Sequence, residues 1–536
     1  MSGATPTSTS SESSRRWRAL AVLCLSLLIV TLDATILNVA LPTLVRKLHA
    51  SSSDLQWFVD AYVLVFACLM LVAGSLGDRI GRKRTFLAGL VAFAACSTWA
   101  AFSGSVGMLI AARASMGVGA ALIMPSTLAI ITNTFTDRHE RQRAIGFWAA
   151  TSGAGIALGP IVAGLLLARF AWGSVFLINV PIAAVGFAFA LPLVEDSKNP
   201  AAERPDLVGS VLSIAGLGLV LYGIIEAPIH GWTSAVVLAS GVVGLALLTA
   251  FVVWEWRCEH PMLNLQFFAN RGFSGAIVSV ALTMFGLLGA LFLLTQFLQF
   301  DLGYTPLQAG LRMLPAAGAI AVVAPLSSQL VHRIGSKLTI AIGLLLAAGG
   351  LWQMAGVTTA TTYSGIVLGM ALVGLGAGLV IPSTAASVMG SLPEEHTGVG
   401  AGTNGAFLQA GGALGVAVIG SLLATRYQNH MLIALAPHPV PHPIEETILG
   451  SIGAALGVAQ HLGGISGGLL AHAARSAFIS GMALGLRTAA IVALAGAALA
   501  LALLPGKETR RHQQTRAAAK QKTERKRSLR PSSRAG

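Results

Sequence analysis

Charged residues are scarce in this chain: Asp, Glu, Lys and Arg together make up 10% of its 536 residues. A soluble globular domain carries roughly 25% of such residues. Hydrophobic residues reach 54% and come in long blocks. A block of about 20 apolar residues is long enough to cross a bilayer as a helix. The composition therefore excludes a soluble globular protein and predicts an all-α polytopic membrane protein.

Cysteine is also rare, and the usual motifs of catalysis are missing. The spacing of the four cysteines fits neither a metal site nor a disulfide framework. The sequence has no GxxxxGK[ST] phosphate-binding motif, which excludes an ATP-driven pump within this chain. No catalytic constellation is present either. We therefore predict a protein that is not an enzyme and that holds no cofactor or metal.

Fourteen apolar runs are long enough to cross a membrane. Gly is abundant, with 61 residues, as expected where membrane helices pack closely. The fourteen predicted spans are 18–41, 54–76, 85–104, 107–131, 144–168, 174–194, 207–228, 235–256, 274–300, 307–331, 338–357, 363–390, 399–424 and 483–505.

The basic residues are distributed unevenly between the two sides. With the N-terminus in the cytoplasm, the inner segments hold 27 of the 35 Lys and Arg residues. This agrees with the positive-inside rule and explains the net charge of +14 without nucleic acid as a partner. Both termini are then cytoplasmic, as a tail at 1–17 and a basic tail at 506–536. We predict that 425–482 is a large extracellular loop with a helix on the membrane surface, although 447–470 could instead be a fifteenth span.

The chain repeats itself. The segment MGVGAALIMPST at 116–127 aligns with VGLGAGLVIPST at 373–384, with seven of twelve positions identical. RIGRK at 79–83 aligns with RIGSK at 333–337 at nearly the same offset. Because both copies start from the cytoplasm, the repeat is parallel in the membrane, as in transporters that work by alternating access.

This repeat divides the chain into two halves and an insert. An N-terminal six-helix half covers 18–194, and a C-terminal six-helix half covers 274–505. Between them, 207–256 forms a two-helix insert. The predicted fold is therefore two parallel six-helix halves plus the insert, with fourteen transmembrane helices.

Three ionisable residues lie deep in predicted spans of the first half, where such groups cost about 2.5–3.5 kcal/mol on insertion scales. Asp33, Asp60 and Arg113 all lie roughly 9–12 Å from the outer ends of their spans, at 1.5 Å per residue. Two acids beside one cation leave one acid unpaired, and a buried, unpaired carboxyl readily takes up a proton. We predict proton coupling at this cluster, with Asp33 as the proton carrier. Asp60 could instead recognise a cationic substrate, and Arg113 could be an electrostatic staple.

The loop after the second predicted span and the fifth predicted span also carry distinctive patterns. Glycines permit a tight turn in the loop, and its acid could pair with the basic loop of the other half and so act as a gate. In the fifth span, spaced glycines favour close packing, and a proline allows bending. The predicted gating residues are Gly77, Asp78, Arg79, Gly81, Arg82 and Lys83; those of the fifth span are Gly155, Gly159, Pro160 and Gly164.

These segments resemble the major facilitator superfamily, and more narrowly its fourteen-span drug:proton antiporters. The segment from Leu32 to Pro42 resembles the first-helix signature of that branch, and GSLGDRIGRKR resembles the loop motif of the superfamily. The segment RASMGVGA from Arg113 resembles the motif whose arginine is implicated in proton transfer. GIALGPIVAG at 155–164 resembles the antiporter motif of exporters, although Ala163 stands where glycine is frequent. The likeness covers roughly 18–505.

The resemblance implies proton-coupled export of a small lipophilic antibiotic or drug across the inner cell membrane, conferring resistance. The composition resembles that of exporters from actinobacteria. The partners are then the substrate, protons and the bilayer, and a monomer suffices. The alternative is an exporter of another metabolite, such as a siderophore or amino acid. Span position alone suggests substrate contacts at Asn38, Trp57, Tyr62, Gln296, Gln299, Asn404, Phe407 and Gln409.

Overall fold

The structure is a computed structural model that describes residues 7–198, 206–259, 261–392, 397–437 and 440–506. Within these ranges the chain is helical and contains no β-strand. Polar residues begin several of the helices, because a side-chain oxygen can accept a hydrogen bond from a backbone N–H that has no partner in the helix. Ser51 and Asp54 form such a capping box at the start of the second helix.

The first half contains seven helices, since a break after residue 177 divides the sixth predicted span in two. They are α1 (Thr7–Leu48), α2 (Ser52–Ile80), α3 (Arg82–Ala101), α4 (Val106–Thr134), α5 (Arg138–Arg169), α6 (Ser174–Leu177) and α7 (Asn179–Leu193). The insert consists of α8 (Leu207–His230) and α9 (Ala235–Arg257).

The second half begins with a short 3-10 helix at Leu265–Ala269. Its first long helix ends in a π-helical turn at Phe297–Asp301. The helices of this half are α10 (Arg271–Gln296), α11 (Pro306–Arg312), α12 (Leu314–Ile334), α13 (Ser336–Met354), α14 (Ser364–Met389), α15 (Thr397–Leu435), α16 (His442–Gly450), α17 (Ile452–Leu462) and α18 (Gly464–Leu503).

In the described residues, 13 helical segments are long and apolar enough to cross a membrane. These segments cover every predicted span except the fifth. That span lies in α5, a continuous helix at Arg138–Arg169, of which Leu158–Arg169 counts as a shorter apolar segment. The all-helical membrane fold is therefore confirmed, whereas the count of fourteen crossings stays a prediction.

The ends of the chain and the segment 425–482 are more helical than the sequence suggested. Helix α1 begins at Thr7, inside the predicted tail 1–17. Helices α15 and α18 both continue far into the segment predicted as a loop, and the connection between them carries α16 and α17. Of the basic tail, only residue 506 lies within the described residues.

The two halves meet along two seams, and the insert covers one of them. Helix α2 packs against α15, and α5 packs against α11. Helix α8 of the insert packs against both α2 and α15. The insert is therefore a side wall over the α2–α15 seam, which is a position that the sequence did not predict.

The halves contact each other at the end that the topology predicts to be outside. Gln299 Nε2 donates to Val39 O at 2.9 Å, and Ser52 Oγ donates to Gly450 O at 2.9 Å. Helix α5 has far fewer contacts with α12 than with α11 at this end. The structure is thus closed at the predicted outer end.

Candidate functional site

The centre of the first half holds a buried ion pair. Arg113 Nη1 of α4 lies 2.5 Å from Asp33 Oδ2 of α1. The two side chains are only 1% and 0% exposed, respectively. A buried charge persists in an apolar surrounding where it is paired and hydrogen-bonded. The pair joins two of the three ionisable residues that the sequence placed at one level.

Helix α2 supplies two further contacts to the arginine. Arg113 Nε donates to Phe58 O at 2.9 Å, and the guanidinium carbon lies 4.3 Å from the centre of the Tyr62 ring. Cation–π contacts of this kind are stronger where water is excluded. Tyr62, predicted as a substrate contact, is therefore part of the packing around the ion pair.

A glycine sets the close approach of α4 to α2. A Cβ added at Gly117 would lie 2.7 Å from Tyr62 O, closer than real side chains allow. Gly117 lies four residues after Arg113, on the same face of α4. Phe58 and Tyr62 are likewise four residues apart on α2. The missing side chain at Gly117 therefore brings the guanidinium within reach of the α2 backbone.

The other oxygen of the aspartate is held by a chain of neutral polar groups. Asn179 Nδ2 at the start of α7 lies 3.1 Å from Asp33 Oδ1 and 3.0 Å from Ser97 Oγ of α3. Ser97 Oγ in turn donates to Phe176 O at 2.8 Å. Neither Asn179 nor Ser97 was predicted as a site residue from the sequence. A signal existed for Asn179, because an amide inside an apolar span is unusual.

Asp60 is not part of this cluster. Its side chain is fully buried, and neither carboxyl oxygen has a hydrogen-bond partner among the described residues. Residues four apart share a helix face, so Asp60 lies on the face of Gln56 and Leu64. Gln56 contacts α15 at Gly420, and Leu64 contacts α8 at Gly218. Asp60 therefore faces the junction of α15 and the insert helix, away from the ion pair.

The glycines of α5 allow two close contacts on different faces of that helix. Added Cβ atoms at Gly155 and Gly159 would lie 2.0 Å from Thr31 Oγ1 and Thr35 Oγ1 of α1, respectively. These threonines flank Asp33 in the sequence. The antiporter-like segment thus packs directly against the part of α1 that carries the ion pair.

The second face of α5 contacts the other half of the protein. An added Cβ at Gly164 would lie 2.5 Å from Leu307 Cα, and one at Gly310 would lie 2.1 Å from Pro160 O. Helix α11 carries both Leu307 and Gly310. The segment therefore connects the buried ion pair to the closed outer junction between the halves.

The predicted gating loop is held within the first half. Asp78 Oδ1 pairs with Arg82 Nε at 2.6 Å, and Arg82 Nη1 donates to Ala129 O of α4 at 3.3 Å. In this structure, the ion pair of Asp78 therefore lies inside its own loop rather than with the basic loop of the second half. Lys83 Nζ donates to Leu191 O at 2.6 Å.

The glycine of this loop has a conformation that side chains rarely adopt. Gly81 has φ +123°, and an added Cβ would lie 2.7 Å from Asp196 Oδ1. Asp196 also pairs with Arg84 at 3.4 Å. Gly77, by contrast, has room for a Cβ, since its nearest neighbour would be Ser126 Oγ at 3.5 Å. Arg79 is exposed at the end of α2.

The predicted substrate contacts do not form one cluster. Gln299 bridges the halves, whereas Gln296 Nε2 donates to Phe292 O of its own helix. The ring centre of Phe407 lies 5.8 Å from that of Phe268. Asn38 and Asn404 are buried, each with a side-chain oxygen that has no partner in the described chain. Gln409 is half-buried.

Trp57 contacts a residue that the sequence analysis missed. Its Nε1 donates to Glu226 Oε1 of the insert helix α8 at 3.2 Å. The Trp57 ring also lies 6.3 Å from the ring of Tyr222. Glu226 is an acid inside a predicted span, which is a signal of the same kind as Asp33 and Asp60. The contact ties the insert to the outer part of α2.

Known proteins resemble this chain in sequence and in fold. The tetracenomycin C resistance and export protein of Streptomyces glaucescens is 33% identical over 93% of this chain and 94% of its own length. The multidrug efflux pump LfrA of Mycolicibacterium smegmatis is 35% identical over 79% of this chain and 84% of its own length.

A solved structure supports the same fold. A bacterial homologue of the human lysosomal transporter Spinster superposes with a TM-score of 0.62 at 16% identity, covering 94% of this chain and 100% of that one. The sequence profile of the Major Facilitator Superfamily matches residues 23–416. That match covers well over half of the chain, and the relatives extend it nearly to full length. The chain therefore belongs to the major facilitator superfamily of membrane transporters.

Proposed function

We propose that this protein exports a small lipophilic antibiotic or drug from the cell in exchange for protons and thereby confers resistance. Two relatives that align with most of the chain are named for drug export or efflux. The fold supplies two parallel halves that meet along two seams, as alternating access requires. The substrate enters from the cytoplasm or the inner leaflet, at the end where α5 and α12 diverge.

The proposal of proton coupling rests on the contrast between the two buried acids. Asp33 is neutralised by Arg113 and held by Asn179. Asp60 is equally buried but has no partner among the described residues. A carboxyl in that position is stable as the neutral acid and costs free energy as the anion. We therefore assign the transported proton to Asp60.

This assignment differs from the hypothesis based on sequence, which put the proton on Asp33. In our proposal, the Asp33–Arg113 pair stays charged and holds α1 and α4 together. Arg113 also contacts the α2 backbone two residues before Asp60. A proton gained or lost at Asp60 changes the charge on α2, and thus biases the packing of that helix against α15.

The cycle follows from the position of Asp60 at the seam. Protonated from the outside, Asp60 is neutral, and α2 packs tightly on α15 and α8. The outer junction at α5 and α11 is then closed, and the substrate enters from the cytoplasmic side. Release of the proton to the cytoplasm leaves an anion at the seam, which destabilises the closed packing and favours opening to the outside. Loss of substrate and a new proton from outside complete the cycle.

The topology belongs to the same proposal. We propose fourteen crossings in the inner cell membrane with both termini in the cytoplasm, because this arrangement places 27 of 35 basic residues inside. A monomer suffices, since both halves of the seam come from one chain.

The test begins with a drug that the protein exports, found by a tolerance screen in a host that lacks its own pumps. Everted vesicles with an imposed pH gradient then measure uptake of that drug. We expect Asp60→Asn to abolish uphill uptake for neutral and cationic drugs alike while drug binding survives, because Asn resembles the protonated acid. Full pH-driven uptake by Asp60→Asn would contradict the assignment. Loss of cationic drugs alone would instead make Asp60 a recognition residue.

A further inference from the structure

An acid of the two-helix insert lies between the outer surface and the buried Asp60. Glu226 is near the outer end of α8, and its side chain is 15% exposed. Its Oε2 lies 3.7 Å from His230 Nδ1, and the His230 side chain is 43% exposed. Its Oε1 accepts the hydrogen bond from Trp57. Glu226 thus contacts an exposed, protonatable group on one side and α2 on the other.

The position of Trp57 relates this acid to Asp60. Asp60 lies three residues further along α2, about 4.5 Å deeper along the helix axis. Both residues lie on the part of α2 that the insert covers, because Leu64 contacts Gly218 of α8. A proton route between the two acids then runs through hydrogen-bonded waters, which can bridge polar groups that are not in direct contact.

The face of α2 between Asp60 and the outer surface is polar. Gln56 is one turn outward from Asp60, is buried, and has a side-chain oxygen without a partner in the described chain. Ser52 is one turn further outward, at the start of the helix. An unpaired acceptor one turn outward from Asp60 gives a transferred proton a polar group along an otherwise apolar wall.

From this arrangement we propose that Glu226 takes up protons from the outer aqueous phase and passes them to Asp60. The proposal rests on the proposed proton coupling at Asp60. In the step, the O–H bond of the Glu226 carboxyl breaks, and its proton moves to the Asp60 carboxylate. Glu226 returns to the anion and is reprotonated from outside, directly or through His230. The insert therefore supplies the proton entry for the α2–α15 seam.

Few other charged or titratable groups face this region from the helices that pack against α8. On α2, the carboxylate of Asp54 is engaged in the capping box with Ser51. On α15, Arg426 Nε donates to Ser480 Oγ of α18 at 3.2 Å, and His430 Nε2 lies 3.4 Å from the same hydroxyl. The charged residues of α9, Glu255 and Arg257, lie at its opposite end. Arg426 and His430 are thus held beside α18, whereas Glu226 contacts α2 through Trp57.

The test compares two transport reactions in proteoliposomes that contain the full chain and an exported drug found by the tolerance screen. One is drug uptake driven by an imposed pH gradient. The other is exchange of labelled for unlabelled drug without a gradient. We expect Glu226→Gln to lower the first rate about 100-fold, the lower end of the range for a positioned proton-transfer group. Exchange should continue at the parental rate, because Gln keeps the acceptor for Trp57.

Two further variants keep the test decisive. Glu226→Asp keeps the carboxyl and should restore most of the gradient-driven rate, even if Glu226→Gln inserts poorly. Asp54→Asn is the matched control, because it removes an acid at the same end of α2 and should leave both rates unchanged.

Two results would overturn the proposal. One is full gradient-driven uptake by Glu226→Gln. The other is equal loss of both reactions in Glu226→Gln at normal abundance, which would indicate a purely structural role. Neither result would contradict the assignment of the proton to Asp60, because that assignment is tested separately with Asp60→Asn.

Discussion

Arg113 and Asp33 form an ion pair with 2.5 Å between Nη1 and Oδ2, and both side chains are shielded from solvent. Each charge depends on the other, because neither has access to water. The pair joins α4 to α1, and the same arginine reaches the α2 backbone at Phe58. Three helices of the first half are thus held together by one guanidinium.

A double-mutant cycle tests this pair. Asp33→Asn and Arg113→Gln each leave one buried charge without its partner, which costs about 3–5 kcal/mol. We expect each single variant to unfold more readily and to lose export. The double variant removes both charges, so its loss of stability should be smaller than the sum of the two. The measurement is thermal unfolding in detergent, and strictly additive effects would contradict a direct interaction.

The packing of Gly117 against Tyr62 gives a second prediction. A methyl group at this position would lie 2.7 Å from Tyr62 O, so Gly117→Ala must push α4 away from α2 and weaken the bond from Arg113 to Phe58. We expect export to fall at least tenfold, since the site depends on this distance. Gly107→Ala on the same helix is the control, because its added Cβ meets open space. Equal export by both variants would contradict the packing argument.

The depth of the ionisable residues could be predicted from the sequence, but their pairing could not. Counting residues from the span ends places Asp33, Asp60 and Arg113 at one level. Pairing depends on the rotation of each helix, which the count does not give. Phe58 and Tyr62 share the face of α2 that meets Arg113. Asp60 is two residues from each of them, on another face, and so lies away from the arginine.

The position of the insert in the fold likewise could not be predicted from the sequence. The repeat predicts that two spans are additional, and this prediction sets α8 and α9 apart from both halves. Which helices they contact depends on packing that no internal match records. Glu226 therefore carried no signal beyond being an acid in a span. Its importance emerged from the contact with Trp57.

The loop between α2 and α3 gives a third prediction. Asp78→Asn removes the ion pair with Arg82, which holds the loop on α4 in the outwardly closed structure. We expect drug export to fall severalfold while membrane abundance stays near the parental level, because the pair is partly exposed to solvent and contributes little to folding. Immunoblotting of membranes and drug uptake into everted vesicles measure the two effects. Export at the parental rate would contradict a gating role and would indicate that the basic residues of the loop serve only to set the membrane topology.

The number of crossings is tested by the location of the C-terminus. With fourteen spans, a reporter enzyme fused after Gly536 and active only outside the cytoplasm should show no activity. The same reporter placed after Ala436, in the connection that precedes α16, should be active. Activity after Gly536 would indicate an odd number of crossings and favour 447–470 as an additional span.

The junction of α5 and α11 gives the last prediction. Gly310 faces the Pro160 carbonyl so closely that an added Cβ would lie 2.1 Å from that oxygen. Gly310→Ala therefore must separate the two halves at their closed outer end and shift the protein toward the outward-open state. A shift in population of this kind slows a transporter, because every cycle must pass through both states. We expect slower drug export together with faster labelling, from the outside, of a cysteine introduced at Gln299 near the seam. Gly318→Ala is the matched control, since this glycine lies on α12, which follows α11, and its added Cβ meets open space. Unchanged labelling and export in Gly310→Ala, equal to those of the control, would show that this contact does not hold the outer end closed.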